Sequence, residues 1–519
     1  MKNTIYGLRA GMRKSKKAIV ALVLVFLPVA SFLVWDANRT FCTDFTTHET
    51  HGSDRCFRSA ALAPQPKEAP WYPTVTPGEA FDSERTHTFP HTCATPEIAG
   101  AGPYSVHART IKGLPGIYNV VTRNRGELFA LGGATMSTET CDADSDLCAT
   151  GPYAAKIDAH TLEILWKTRI HDAKQDGDWD YPGVIGVHGN GYVYLVNGYH
   201  MAKIDPADGA IVKRLKLPTP QGQKPGDTVY NGFSILSDGR LIAKSMTRKA
   251  GATADSIKAL LFYHDKAVPS IIAVVEPDDL TLVAQAEVDE PVLGRISNTV
   301  FNDTEYIYVS GVKNLFRYIY GNNTITRDEQ WGPVPYCAGR QKPGTAPAIL
   351  GDFVVVQTNF QLSSAALSLT AVSQADDTRV HHFEPFAGRW WLPGSLQWSL
   401  PTVDVKNDRV YAYDFLKGRL AAIDLDAEGG FSKAWMAKQR SLSFAALTGS
   451  PENRTLILDD ANLPSPTTVR VIWRDAATGR ELAKSPVLPQ GFGLPLTPGF
   501  DGVMYYPSHN GMLTELRIY

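Results

Sequence analysis

The chain has no CxxC pair, no GxSxG elbow, no Walker loop, no dinucleotide fingerprint and no HExxH helix. Those absences remove the usual signatures of a thiol-ligated zinc site, an α/β-hydrolase, a P-loop nucleotide-binding protein and a zincin protease. Charge of one sign is lacking as well. The 51 Lys and Arg nearly balance 53 Asp and Glu, so there is no basic footprint for nucleic acid. Long amphipathic helical runs are missing. Apolar residues alternate in short segments between turns rich in the 43 glycines and 34 prolines, the pattern of an all-β chain. The histidines are scattered, with no pair at the spacing of a helix-borne metal site.

What is present begins with a targeting pattern. Six basic residues within positions 1–17 precede an uncharged apolar run at 18–35. A basic flank stays in the cytoplasm, so the pattern predicts a transmembrane signal anchor with the remainder of the chain outside, periplasmic or at the cell surface. Pro28 at the −3 position of the only small-residue junction argues against cleavage. Positions 36–103 read as an extracytoplasmic stalk, because prolines recur at 64, 66, 70, 73 and 77. The six cysteines suit an oxidising compartment. Local pairing suggests Cys42–Cys56 and Cys141–Cys148, which leaves Cys93–Cys337 among the connectivities that six cysteines allow.

From position 104 onward one unit repeats. GYVYLVNGYHMAKIDPADGAIVKRLKL (191–217) reads as three strands joined by Asn197-Gly198 and by Asp208-Gly209, and 183–187 supplies a strand before it. Weaker copies occupy 155–168, 272–286, 420–435 and 471–482. Four-stranded units at a spacing of about forty to fifty residues, none able to bury both faces alone, point to a β-propeller. Ile157-Asp158 with Trp166, Ile204-Asp205 with Asp208-Gly209, Ile423-Asp424 with Trp435, and Thr478-Gly479 each match part of one pattern. In that pattern the chain resembles the PQQ-like, quinoprotein-type propeller repeats. The resemblance implies architecture; many enzymes of that family carry adjacent cysteines stacked on the quinone, and this chain has none. PQQ is therefore not supported by site residues, although HDAKQDGDWDYP (171–182) is loosely similar to an acidic, tryptophan-containing segment of those enzymes.

Seven complete blades fit between positions 118 and 484, and 493–519 supplies only three further strands. A propeller must close without an open edge, so the strand-like stretch 104–111 is expected to complete the last blade. The domain at 104–519 is thus an eight-bladed β-propeller, or seven-bladed if one weak unit is miscounted.

Connection lengths are one-sided. Turns on one face are short, whereas insertions at 134–151, 171–182, 219–229, 247–270, 331–345, 385–397 and 460–467 fall on the other. A scaffold with elaborated loops on one face is the usual form of a binding surface, and neutral drift on a tolerant face is the alternative. Trp179, Tyr181, Trp331, Tyr336, Trp390 and Trp391 lie in or beside these loops and are the candidate ligand-binding residues, suited to a protein or carbohydrate ligand. Asp142, Asp144 and Asp146 alternate between Cys141 and Cys148, a spacing that suits calcium or simply makes a solvated acidic hairpin; Asp176, Asp178 and Asp180 repeat it. With no complete catalytic motif, the leading expectation is a membrane-anchored binding propeller without catalysis of its own. The alternative is a quinoprotein-type oxidoreductase or metal-dependent hydrolase at the same face.

Overall fold

The computed structural model describes residues 70–92, 103–133, 151–171, 179, 181–250, 267–337, 341–342, 344, 346–358, 366–388, 394–397, 399–462, 465 and 467–518. Eight sheets make the blades of a propeller, each built on four antiparallel strands; in seven of them the four follow in sequence order from the axis outward. The innermost strands are Asn119–Thr122, Val184–Val187, Thr228–Ile235, Ile296–Phe301, Ala348–Leu350, Thr402–Asp404, Ala446–Thr448 and Thr497–Pro498. Each touches the next, and the eighth touches the first, so the ring is closed.

Closure uses the two ends of the propeller together. Val106–Ile111 pairs antiparallel with Met512–Ile518, from Val106 opposite Ile518 to Ile111 opposite Leu513. The eighth blade therefore takes three strands from the C-terminal end of the chain and its outer strand from the N-terminal side, as the strand arithmetic anticipated. No blade is left with a missing strand at the seam.

The repeat signature has a mechanical meaning. An acidic residue ends the third strand of a blade and caps the following turn: the Asp205 carboxylate accepts from the Ala207 amide at 2.8 Å, and that of Asp475 from the Thr478 amide at 2.8 Å. The turn glycine then receives a tryptophan from the preceding blade. A Cβ on Gly209 would sit 2.7 Å from the Trp166 ring and one on Gly479 would sit 2.6 Å from Trp435, so no larger residue fits without displacing the ring. Between blades the alternating strand residues form flat apolar layers, such as Phe129, Leu131 and Ala154 of the first blade against Ile185, Val193 and Leu195 of the second.

Residues 70–92 correct the expectation of a stalk over 36–103. They run through the axis of the ring. Inner-strand amides of six blades donate to their carbonyls: Thr122 to Thr76 (2.9 Å), Val187 to Pro77 (2.8 Å), Asn298 to Ser83 (3.0 Å), Ile349 to Glu84 (3.0 Å), Val403 to Thr86 (2.9 Å) and Leu447 to His87 (2.9 Å). The third blade is held by the Ser83 hydroxyl, which donates to the Ile235 carbonyl at 2.7 Å, and the eighth by that of Thr76, which donates to Pro498 at 2.6 Å. Every blade is thus bonded to the plug. The reason is the unpaired inner edge of each first strand, which needs partners once water is excluded. Phe81, Arg85 and His87 adopt left-handed φ values of 75°, 56° and 57°, conformations that persist only where the surroundings fix them. The remaining parts of the expected stalk, 36–69 and 93–102, lie outside the described residues, as does the apolar run 18–35. Among the described residues no helix is long and apolar enough to cross a membrane.

Both ends of the plug lie on one face. The Pro70 carbonyl accepts from Gly189, and the Tyr72 hydroxyl donates to Asn124, both in turns between first and second strands. At the other end the Thr92 carbonyl accepts from Gly449, in the same kind of turn. Between the described strands, no connection on this face exceeds six residues, while the strand ends that flank 133–152, 249–270, 328–347 and 384–401 all lie on the opposite face.

Candidate functional site

Two regions carry polar chemistry: the axis and the face bearing the long connections. At the axis, Glu79 is enclosed by cations. Arg295 Nη2 donates to Glu79 Oε1 at 2.6 Å and its Nε contacts Glu79 Oε2; Arg85 Nη1 lies 3.6 Å from the same Oε2. The Tyr118 hydroxyl adds a third donor at 2.9 Å. Arg85 is further fixed by the carbonyls of Ile296 (2.5 Å) and Phe233 (3.3 Å). Burial pushes the Arg85 guanidinium down to about 10 against the pull of Glu79. Burial opposes charge on Arg295 too, but Glu79 and Tyr118 outweigh it and its pKa is raised.

The neighbours of this cluster are also desolvated. Burial, reinforced by Glu84, raises the Asp82 carboxyl to about 7. Burial lowers the His87 imidazole to about 3, with its Nδ1 against the Ala445 carbonyl at 2.9 Å and its ring stacked on Phe444. Lys244, whose ammonium donates to the Val292 carbonyl at 3.0 Å, is lowered well below the usual lysine range by burial and by Arg295 and Arg85. Perturbed groups in a cleft would suggest catalysis. Here the cleft is filled. The cavity beside Trp71, Glu79, Asp82, Arg85 and Phe233 is about 10 Å³, room for about one water molecule. A planar tricyclic quinone does not fit the axis as these residues build it, so no redox step is derived there.

The aromatic candidates divide in two. Trp179, Tyr181, Trp331 and Tyr336 are all buried. Trp179 and Tyr181 pack with Val229, Met246 and Leu293 at the base of the long connections. Trp331 donates its Nε1 hydrogen to the Ser373 carbonyl at 3.0 Å and stacks beneath the Arg317 guanidinium; the Tyr336 hydroxyl donates to Gly311 at 2.6 Å. These rings seal the loops onto the scaffold. Trp390 and Trp391 lie outside the described residues.

Cys337 is a free, half-buried thiol, so the structure does not support the Cys93–Cys337 pairing. Its amide donates to Lys313 in the fourth blade on the long-connection face, whereas Thr92, one position before Cys93, is bonded to Gly449 in the seventh blade on the other face. A disulfide needs its Cα atoms within about 7 Å. Cys42, Cys56, Cys93, Cys141 and Cys148 lie outside the described residues, as do Asp142, Asp144, Asp146 and the second acidic run. Among the described residues no group of three His, Cys, Asp or Glu side chains is placed to hold a metal. The His171 and His200 rings stack at 4.3 Å at the second blade, and burial lowers His200 to about 3.

Sequence reasoning missed an open polar recess among the described residues, a groove of about 390 Å³ between the sixth and seventh blades on the long-connection face. Arg419, Lys438, Arg440, Arg470 and Lys484 line it with Asp460 as the carboxylate. These cations come from four separate strand ends and one turn, so no charge run announces them; only the insertion at 460–467 points to the place.

The fold has known relatives in structure but not in sequence. No protein-family model and no curated protein matches the chain. Among solved structures it is similar to the quinohemoprotein alcohol dehydrogenase ADHIIG of Pseudomonas putida, at 9% identity and TM-score 0.52 over 87% of this chain and 80% of that one. It is also similar to a europium-containing methanol dehydrogenase, at 8% identity and TM-score 0.50 over 87% and 91% of the two chains. BamB of Moraxella catarrhalis matches at 13% identity and TM-score 0.46, covering 79% of this chain and 98% of that one. At such identities the likeness establishes the β-propeller fold and nothing about activity.

Proposed function

We propose that this protein is a membrane-anchored, extracytoplasmic binding propeller that holds a protein or carbohydrate ligand on its long-connection face and performs no catalysis of its own. The observation that carries the reading is the division of labour between the two faces and the axis. The axis is occupied by residues 70–92, and the long connections all leave from the face opposite both ends of that plug. An anchor at 18–35 would join the propeller through residue 70 and so through the short-turn face. The elaborated face would then point away from the bilayer, toward a partner.

Replacing residues 389–393, which include Trp390 and Trp391, with a Gly-Ser linker of equal length tests the reading. The flanks must stay, because Phe386 packs in the core of the fifth and sixth blades and the Ser395 hydroxyl donates to Asp414 at 2.7 Å. Loss of capture of the native ligand with an unchanged melting temperature is the expected result. A quinone chromophore in the purified protein, or dye-linked dehydrogenase turnover, would overturn the proposal.

A further inference from the structure

We propose that the groove between the sixth and seventh blades is a docking site for an acidic segment of a protein partner, an inference that rests on the binding role proposed above. The sixth blade contributes Arg419 from its Arg419–Leu425 strand, Lys438 from the end of Phe431–Lys438, and Arg440 just beyond. The seventh contributes Arg470 from Thr468–Asp475 and Lys484 from the end of Glu481–Lys484. Positive charge therefore stands on both walls, along the groove's length.

The carboxylates nearby do not cancel it. Asp460 accepts from the backbone amide of Arg440 at 2.7 Å, and Glu481 is 3.6 Å from Lys484 at the rim. Subtracting both from the five cations leaves a net charge of three. Arg440 Nη1 donates to the carbonyls of Phe415 and Leu416 at 2.7 and 3.1 Å, and Arg470 Nη1 to that of Ser485 at 2.8 Å. Each guanidinium is held in place and keeps donors over for a ligand. Fixed forks of this kind favour carboxylate and other planar oxyanions. The floor is rigid, since the Gln439 amide donates to Leu458 and Asp459 and its carbonyl oxygen accepts from Arg474 Nε at 2.6 Å.

The size of the recess decides the ligand class. A volume of about 390 Å³ lies within the range of small-ligand sites and far exceeds one inorganic oxyanion. Cations spread along two walls suit several carboxylates in sequence better than a single phosphate. In a chain of net charge −2 the groove is also a local reversal of sign, which would steer an acidic segment to this place.

The test is a titration of the purified full-length protein with fluorescein-labelled deca-glutamate, with deca-lysine as the control. Deca-glutamate should bind at low salt, weaken as exposed charges are screened, and not be displaced by an equal concentration of inorganic phosphate. The double variant K438E/K484E changes two exposed side chains and should weaken binding at least tenfold without moving the melting temperature. K213E/K406E makes the same change of net charge elsewhere on the surface and should bind as wild type. Equal losses in the two double variants, no loss in K438E/K484E, or no binding of deca-glutamate would overturn the proposal. Displacement by equimolar phosphate would overturn it in favour of a free oxyanion. The readout does not depend on the 389–393 loop or on the absence of catalysis. Its failure is therefore separable from failure of the binding role.

Discussion

Substituting Glu79 by alanine removes the one carboxylate that, among the described residues, the two buried arginines share. Arg295 and Arg85 are 5% and 3% exposed, and Glu79 Oε1 also accepts the Tyr118 hydroxyl hydrogen. Removing one partner of a buried ionic cluster typically costs about 3–5 kcal/mol, because the charges left behind stay desolvated. At about 2.1 cal/mol/K per residue, a folded body of roughly 400–500 residues loses about 1 °C of melting temperature per kcal/mol. Glu79→Ala should therefore lower the midpoint by about 3–5 °C. The companion variant Arg295→Met should also destabilise, but the double variant should cost less than the sum, since one of the two charges that Glu79→Ala orphans has been removed with its partner and only Arg85 remains. Differential scanning calorimetry of the four proteins reads both quantities. A Glu79→Ala midpoint within 1 °C of wild type, or additive costs in the double variant, would refute the buried-cluster reasoning and with it the seating of residues 70–92 in the axis.

Asp82, raised to about 7, contributes stability that is full below the unfolded carboxyl range and lost as pH rises through about 7. Asp82→Asn removes that dependence, so its midpoint relative to wild type should climb between pH 4 and 7 and level off above; a constant offset would contradict the assignment. His87 works in the opposite direction, its contribution being present above about 6.5 and lost toward its folded value of about 3. Wild type should consequently show a flatter acid limb than Asp82→Asn. The Cys337 thiol, pushed up to about 12 by burial, should react slowly with iodoacetamide at pH 8 in the native protein and rapidly in guanidinium; fast native labelling would refute the described burial. If Asp142, Asp144 and Asp146 share a calcium ion, calcium at a hundredfold excess over Kd adds about 2.7 kcal/mol and raises the midpoint by a few degrees, and Asp144→Ala removes most of the rise. A rise that survives both Asp144→Ala and Asp178→Ala would exclude both acidic runs.

The blades were legible because strand and turn chemistry is local. Alternating apolar residues and turn glycines marked the copies at 155–168 and 420–435, which the structure builds as Tyr153–Asp158 with Ile164–Arg169 and as Arg419–Leu425 with Phe431–Lys438, and the count of strands exposed the need for Val106–Ile111 in the last blade. The plug was not legible for the opposite reason. Its prolines and charges are those of a solvated linker, and the partners that make burial tolerable are distant in sequence: Glu79 meets Arg295 across 216 positions. Trp71, Phe81 and Phe89, spaced through a supposed stalk, were the available signal. Burial of the loop aromatics was hidden similarly, since Trp179 and Trp331 look alike in sequence whether they face solvent or, as here, Met246 and Tyr308. The groove was invisible because its cations converge only when the sixth and seventh blades pack.

The central claim, that the long-connection face is the binding face and the axis is closed, is tested most directly by hydrogen exchange of the full-length protein with and without its captured ligand. Ligand-induced protection should appear in peptides from 384–401, 415–418 and 460–467, while peptides from 70–92 should be strongly protected in both states. Protection confined to short turns such as 188–192 and 405–408, or exchange of 70–92 at the rate of an unstructured chain, would contradict the account.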